Sequence, residues 1–224
     1  MRRAPGTAHG LTDVRQLTYV QSMSADPNAL ADAYPSRTRA RLETRSRVFD
    51  AATTEFRRVG VASAQIEDIV RAAGVARGTF YLHFPTKDHV LLEILRRTEG
   101  AVAARLDREM DRSVAEFLRL TVSLMAEVAT GEDAAIIPDV LAMVARSEGM
   151  LAESDVALFV VVTRFLERAQ ARGEVRCDAP AGELASVFLS GVFGVLLSKT
   201  GVQARGLEPA LQRAADVFVR GFAA

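Results

Sequence analysis

The chain has 224 residues, with 28 Lys and Arg against 28 Asp and Glu, 49% hydrophobic residues, one cysteine and no tryptophan. Zero formal charge argues against indiscriminate nucleic-acid binding, and one cysteine excludes an internal disulfide and suits a reducing compartment. The length allows a small domain beside a larger one, and without period-two alternation or Asn-Gly and Asp-Gly hairpins the expected fold is all-α.

Residues 1–34 scatter Pro5, Gly6, Gly10 and Pro27 among polar residues and are expected to form an irregular extension, with Met23 as an alternative start. No apolar core follows Arg2 and Arg3, so no signal peptide is expected. From Pro35, the residues Arg37, Arg39, Arg41, Arg45 and Arg47 load the approach to a first helix predicted from about Arg39 to Val59. Cations placed there suit phosphates or a minor groove, or else form a solvated arm. Val48, Ala52, Phe56 and Val59 share one face of this helix and Gly60 ends it.

The stretch Ile66–Lys87 carries the sharpest signal. Ile66, Ile69, Val70 and Ala73 recur at helical spacing, and Gly74 follows where a helix end favours positive φ. Val75, Phe80 and Phe84 then form a second apolar stripe opposite Arg77, Gly78 and Tyr81. Two helices joined by a short glycine-containing turn form a helix-turn-helix, whose second helix enters the DNA major groove. Ala76 and Gly78 let that backbone approach base edges, while Arg77 has the fork that pairs with guanine. The predicted core of Phe56, Ile66, Ile69, Val70 and Phe80 gains about 2–3 kcal/mol for each buried phenylalanine.

The run Phe80-Tyr81-Leu82-His83-Phe84 followed by Pro85-Thr86-Lys87-Asp88 resembles the TetR family of bacterial transcriptional regulators over roughly residues 40–95. The resemblance implies a nine-helix, two-domain protein: a helix-turn-helix DNA-binding head over 35–88 and an effector-binding and dimerisation bundle over 89–224. It assigns base contacts to Arg77, Gly78 and Tyr81, and phosphate contacts to Thr79, His83 and Lys87; Arg39, Arg41 and Arg45 join the phosphate set by their position. Ala76 and Ala64 stand where the family often has Ser or Thr, and Ser63 is an alternative cap one residue earlier.

Thr86 is expected to cap a long fourth helix, Lys87 to about Met110, linking head to body. Five further helices follow at about 112–129, 134–147, 154–172, 181–200 and 207–222, punctuated by Gly131, Gly149, Gly173 and Gly201. Pro138 starts or kinks the sixth. The last two helices are broadly apolar, so Phe188, Gly191, Val192, Val195, Leu211, Ala215, Phe218 and Phe222 are the expected dimer interface. A two-fold dimer would set two heads about 34–36 Å apart, on successive major grooves of a palindromic operator. An apolar effector pocket is expected among Leu124, Met125, Ile137, Val140, Met143, Val144, Phe159, Val162 and Phe165.

Basic residues lead in the front of the chain (15 against 11 acidic in 1–100) and acidic ones behind (17 against 13), as suits a protein meeting DNA with one end. No apolar run reaches about 18 residues, so no membrane span is expected. Cys177 reads as an incidental loop residue, and His9, His83 and His89 lack metal-ligand spacing, so no metal, cofactor or catalytic set is implied. The reading is a ligand-responsive dimeric regulator in the bacterial cytoplasm, nucleoid-associated when bound to DNA and more simply a repressor than an activator. A helical interaction scaffold without DNA binding is the alternative.

Overall fold

The computed structural model describes residues 36–146, 156–199 and 206–223. Among these residues the chain forms nine α-helices, a short 3-10 helix and no strand beyond an isolated Val175–Ala223 bridge. The extension over 1–34, Gly149 and Gly201 lie outside the described residues.

Helix α1, Ser36–Val59, begins earlier than the expected start near Arg39, so Arg37 belongs to the helix and not to an arm before it. It ends at Gly60, whose φ of 80° only glycine adopts cheaply. Helix α2, Ile66–Ala73, starts from Gln65 in extended conformation without a side-chain cap, so Ser63 does not cap it. Glu67 and Asp68 in its first turn face the positive end of the helix dipole. Gly74 closes it at φ 63°, and after a tight turn α3 runs Arg77–His83.

Phe56, Ile69, Phe80 and Phe84 are fully enclosed where these three helices meet. Ala64 is buried in the same core, where a serine or threonine hydroxyl would need a partner. Val90, Leu91 and Ile94 of α4, Lys87–Leu106, complete this core, together with Ile136, Val140 and Met143 from the body. Thr86 occupies the N-cap position of α4 but makes no cap to a backbone N–H; its Oγ1 pairs with His89 Nδ1 at 2.9 Å. The helix is shorter than expected because the chain tightens into the 3-10 turn Asp107–Glu109.

A second core belongs to the body: α5 (Val114–Thr130), α6 (Ile137–Arg146), α7 (Ala157–Ala171), α8 (Ala181–Lys199) and α9 (Leu207–Phe222). Ser113 and Glu116 form a capping box on α5. Pro138 sits in the first turn of α6, so the proline begins this helix and does not kink it. Phe117 stacks on Phe165 with ring centroids 3.6 Å apart. Helix α8 has the length and mean hydropathy of a membrane span (19 residues, 1.7), although Glu183 and Lys199 keep its uncharged run below about 18 residues, as expected. It packs on α7 and α9 and sends Leu184, Phe188, Val192 and Leu196 into the core.

Candidate nucleic-acid interface and internal cavity

Helix α3 is anchored on one side and open on the other. Phe80 and His83 are buried, whereas Arg77, Gly78 and Tyr81 are exposed, as is Leu82. A Cβ added at Gly78 would meet nothing within 4 Å, so that glycine leaves a bare backbone facing solvent. Arg77 pairs with the Glu67 carboxylate of α2 and donates to the Tyr81 hydroxyl at 3.4 Å. Its pKa is raised by Tyr81 first and Glu67 next, so the guanidinium is fully charged.

The residues expected at phosphates fall into two groups. Arg41 is exposed and Thr79 half-buried, and Arg39 is half-buried on the first turns of α1. Lys87, Arg45 and His83 are tied into the head. Lys87 Nζ donates to the carbonyl of Val61 at 2.8 Å and of Ala62 at 3.3 Å, closing the turn after α1. Arg45 donates to the His83 carbonyl at 2.7 Å, pairs with Glu93 at 3.0 Å and lies 4.2 Å above the Phe84 ring. His83 is 8% exposed, and burial, then Arg45 and Arg41, push its pKa down, which favours the neutral ring.

A cavity of about 110 Å³ lies inside the body against α4. Of the residues expected to line a pocket, Met125, Ile137, Val140 and Val144 do so. Leu124, Val162 and Phe165 are packed in the body core, Met143 in the head core, and Phe159 lies close to Gly182. The other walls come from Ile94, Leu95, Thr98, Glu99 and Val102 of α4, with Val128, Ala129, Leu141, Leu158, Phe193 and Leu196. Glu99 stands out: burial lifts its carboxyl to about 7, against the weaker opposing pull of Arg96. A larger open groove of about 450 Å³ lies between α5 and the start of α9, with Glu127 and Glu208 in its lining.

Residues 48–94 match the family model described as bacterial regulatory proteins, tetR family. The regulator AcrR of Shigella flexneri is 38% identical over 60 residues, so the matched part spans 27% of this chain and 28% of that protein. Thermus thermophilus FadR, a transcriptional repressor solved with lauroyl-CoA, superposes with a TM-score of 0.69 at 23% identity, over 80% of this chain and 95% of that one. SmeT, the repressor of the Stenotrophomonas maltophilia multidrug efflux pump SmeDEF, gives 0.62 at 26% identity, over 81% and 93%. Residues 48–94 thus carry the TetR-type DNA-binding head. The two-domain helical architecture of these solved repressors is the one found here.

On this TetR-type body the outer sides of α8 and α9 differ from the expected interface. Phe188, Val192, Leu211, Ala215 and Phe222 are inside the chain's own core, and Gly191, Val195 and Phe218 are half-buried. Gly191 makes room for Phe218: a Cβ would stand 2.7 Å from Phe218 Cζ, so the ring would have to shift. The side turned outward carries Val187, Gly194 and Leu197 of α8 and Val217 of α9, all exposed. Broad apolarity of α8 and α9 in the sequence concealed which residues face inward.

Proposed function

We propose that the protein is a dimeric DNA-binding transcriptional repressor, released from a palindromic operator by a small apolar effector. It would act in the cytoplasm, on the nucleoid when bound to DNA. The observation that carries this reading is the exposed face Arg77–Gly78–Tyr81 on a short helix whose opposite side is locked by Phe80. Arg77 reads a guanine edge after exchanging Glu67 for the base, and Tyr81 lies one turn along. Arg39, Arg41 and Thr79 meet phosphates beside it. Lys87, Arg45 and His83, as phosphate contacts, also fix the head that presents them. Val187, Leu197 and Val217 with the half-buried Gly191, Val195 and Phe218 form the two-fold contact between copies.

The cavity supports the switch. It is smaller than the ~150 Å³ cavity that holds benzene in a model protein, so a larger ligand must displace its walls. Ile94 and Val140 are at once cavity walls and members of the head core. Arg57, in the last turn of α1, pairs with Glu132 at 2.6 Å and Asp133 at 2.7 Å, just before α6. A wall that moves therefore moves the head, because packed cores shift between discrete arrangements. SmeT, an efflux-pump repressor, and FadR, solved with lauroyl-CoA, whose acyl chain is apolar, favour a repressor whose effector has an apolar part. A gel shift with DNA from the protein's own gene neighbourhood tests the reading: a saturable complex weakened by Arg77→Ala supports it, and no complex at low salt refutes it.

A further inference from the structure

Thirteen of the fifteen residues around the cavity are apolar; the exceptions are Thr98 and Glu99, neighbours on α4. The Glu99 carboxyl makes no hydrogen bond or salt bridge with a described residue, although 13 ion pairs are formed among them. Arg96, one turn back on the same helix, acts on it only through space. A carboxylate facing an apolar space is costly unless a cation meets it there. Without one the group takes up a proton, in keeping with its raised pKa.

We propose that the effector is a lipophilic amine, its apolar part held by the cavity and its ammonium nitrogen paired with Glu99. This rests on the cavity being the effector site, as read above. Charge then selects within apolar ligands. An alcohol of the same length gains only the apolar contact, and a carboxylate-ended ligand brings a like charge against Glu99. Since α4 carries both Glu99 and the first residues of the link to the head, the paired ligand pulls on the same helix that it displaces.

The chain has no tryptophan, so Phe193→Trp places a single indole in the cavity wall. With hexylamine, hexanol and hexanoate as probes, its fluorescence reports occupancy of this cavity, and calorimetry on the unmodified chain gives the same ranking if the indole disturbs the fold. Hexylamine is expected to bind about ten-fold or more tightly than hexanol, with hexanoate weakest. Glu99→Gln should reduce hexylamine to the level of hexanol and leave hexanol unchanged. Equal binding of amine and alcohol, or an amine affinity indifferent to Glu99→Gln, overturns the charge assignment while the cavity stands. Failure of every probe to bind, by fluorescence and by calorimetry, overturns the cavity as effector site and this inference with it.

Discussion

Arg77 and Lys87 are both cations of the head, yet their surroundings separate what their loss should do. Arg77 is tied only to surface partners, Glu67 and Tyr81. Arg77→Ala should leave the melting temperature nearly unchanged and weaken preference at one base position by about ten-fold or more. Lys87→Ala removes the bonds to the Val61 and Ala62 carbonyls, so it should lower the melting temperature and weaken all DNA sequences alike, with the salt slope reduced by about one. Competition binding at several salt concentrations, beside thermal melts, separates the two. Two titrations pull in opposite directions with pH. Glu99 costs nothing below about 4.5, and its cost grows as pH rises to about 7 and then levels, because the folded state holds the proton more tightly than the unfolded one. Glu99→Gln should therefore stabilise the chain by about 1–3 kcal/mol at pH 8 and hardly at all at pH 4.5, a comparison that denaturant melts provide. His83, with its pKa lowered by burial, stabilises the fold above its unfolded value near 6.5, and that contribution is lost as pH falls below it.

The elements were legible wherever the signal was local. Gly74 at the end of α2, the α3 stripe of Phe80 and Phe84, and the start of α9 at Leu207 follow from spacing and turn residues alone. Long-range facts were not. That Lys87 reaches back to α1, or that Arg45 is held by Glu93, depends on helix crossings no spacing encodes. Glu99 closes the polar stretch Arg96-Arg97-Thr98-Glu99, which carries no sign of a cavity; the packing of α4 between head and body turns it inward. The same limit blurred pocket and core, because Leu124 and Met125 are adjacent and apolar, and only the second meets the cavity. Phe80→Ala should cost about 3–5 kcal/mol and abolish DNA binding through loosening of α3, without touching a contact. Gly191→Ala, set against Phe218, should cost about 1–3 kcal/mol and be relieved by Phe218→Leu, as thermal melts of the single and double variants would show.

At the scale of the molecule, the head core is not sealed off: Ile136, Val140 and Met143 of the body lie in it, and Arg57 reaches the turn before α6. Cavity wall, link and helix α3 are thus parts of one packed structure, the arrangement that the proposed switch requires. Exposed Val217 lies on the outer side of α9, so Val217→Asp should yield monomers by sedimentation and lose operator affinity while keeping the fold. The central claim is that α3 reads duplex sequence through Arg77. Fluorescence anisotropy of the purified chain and its Arg77→Ala variant, titrated at low ionic strength against fragments from its own chromosome, tests it most directly. Saturable, sequence-selective binding by the unmodified chain, with selectivity lost in the variant, is the predicted result; equal affinity for every fragment in both proteins, or no binding in either, would contradict it.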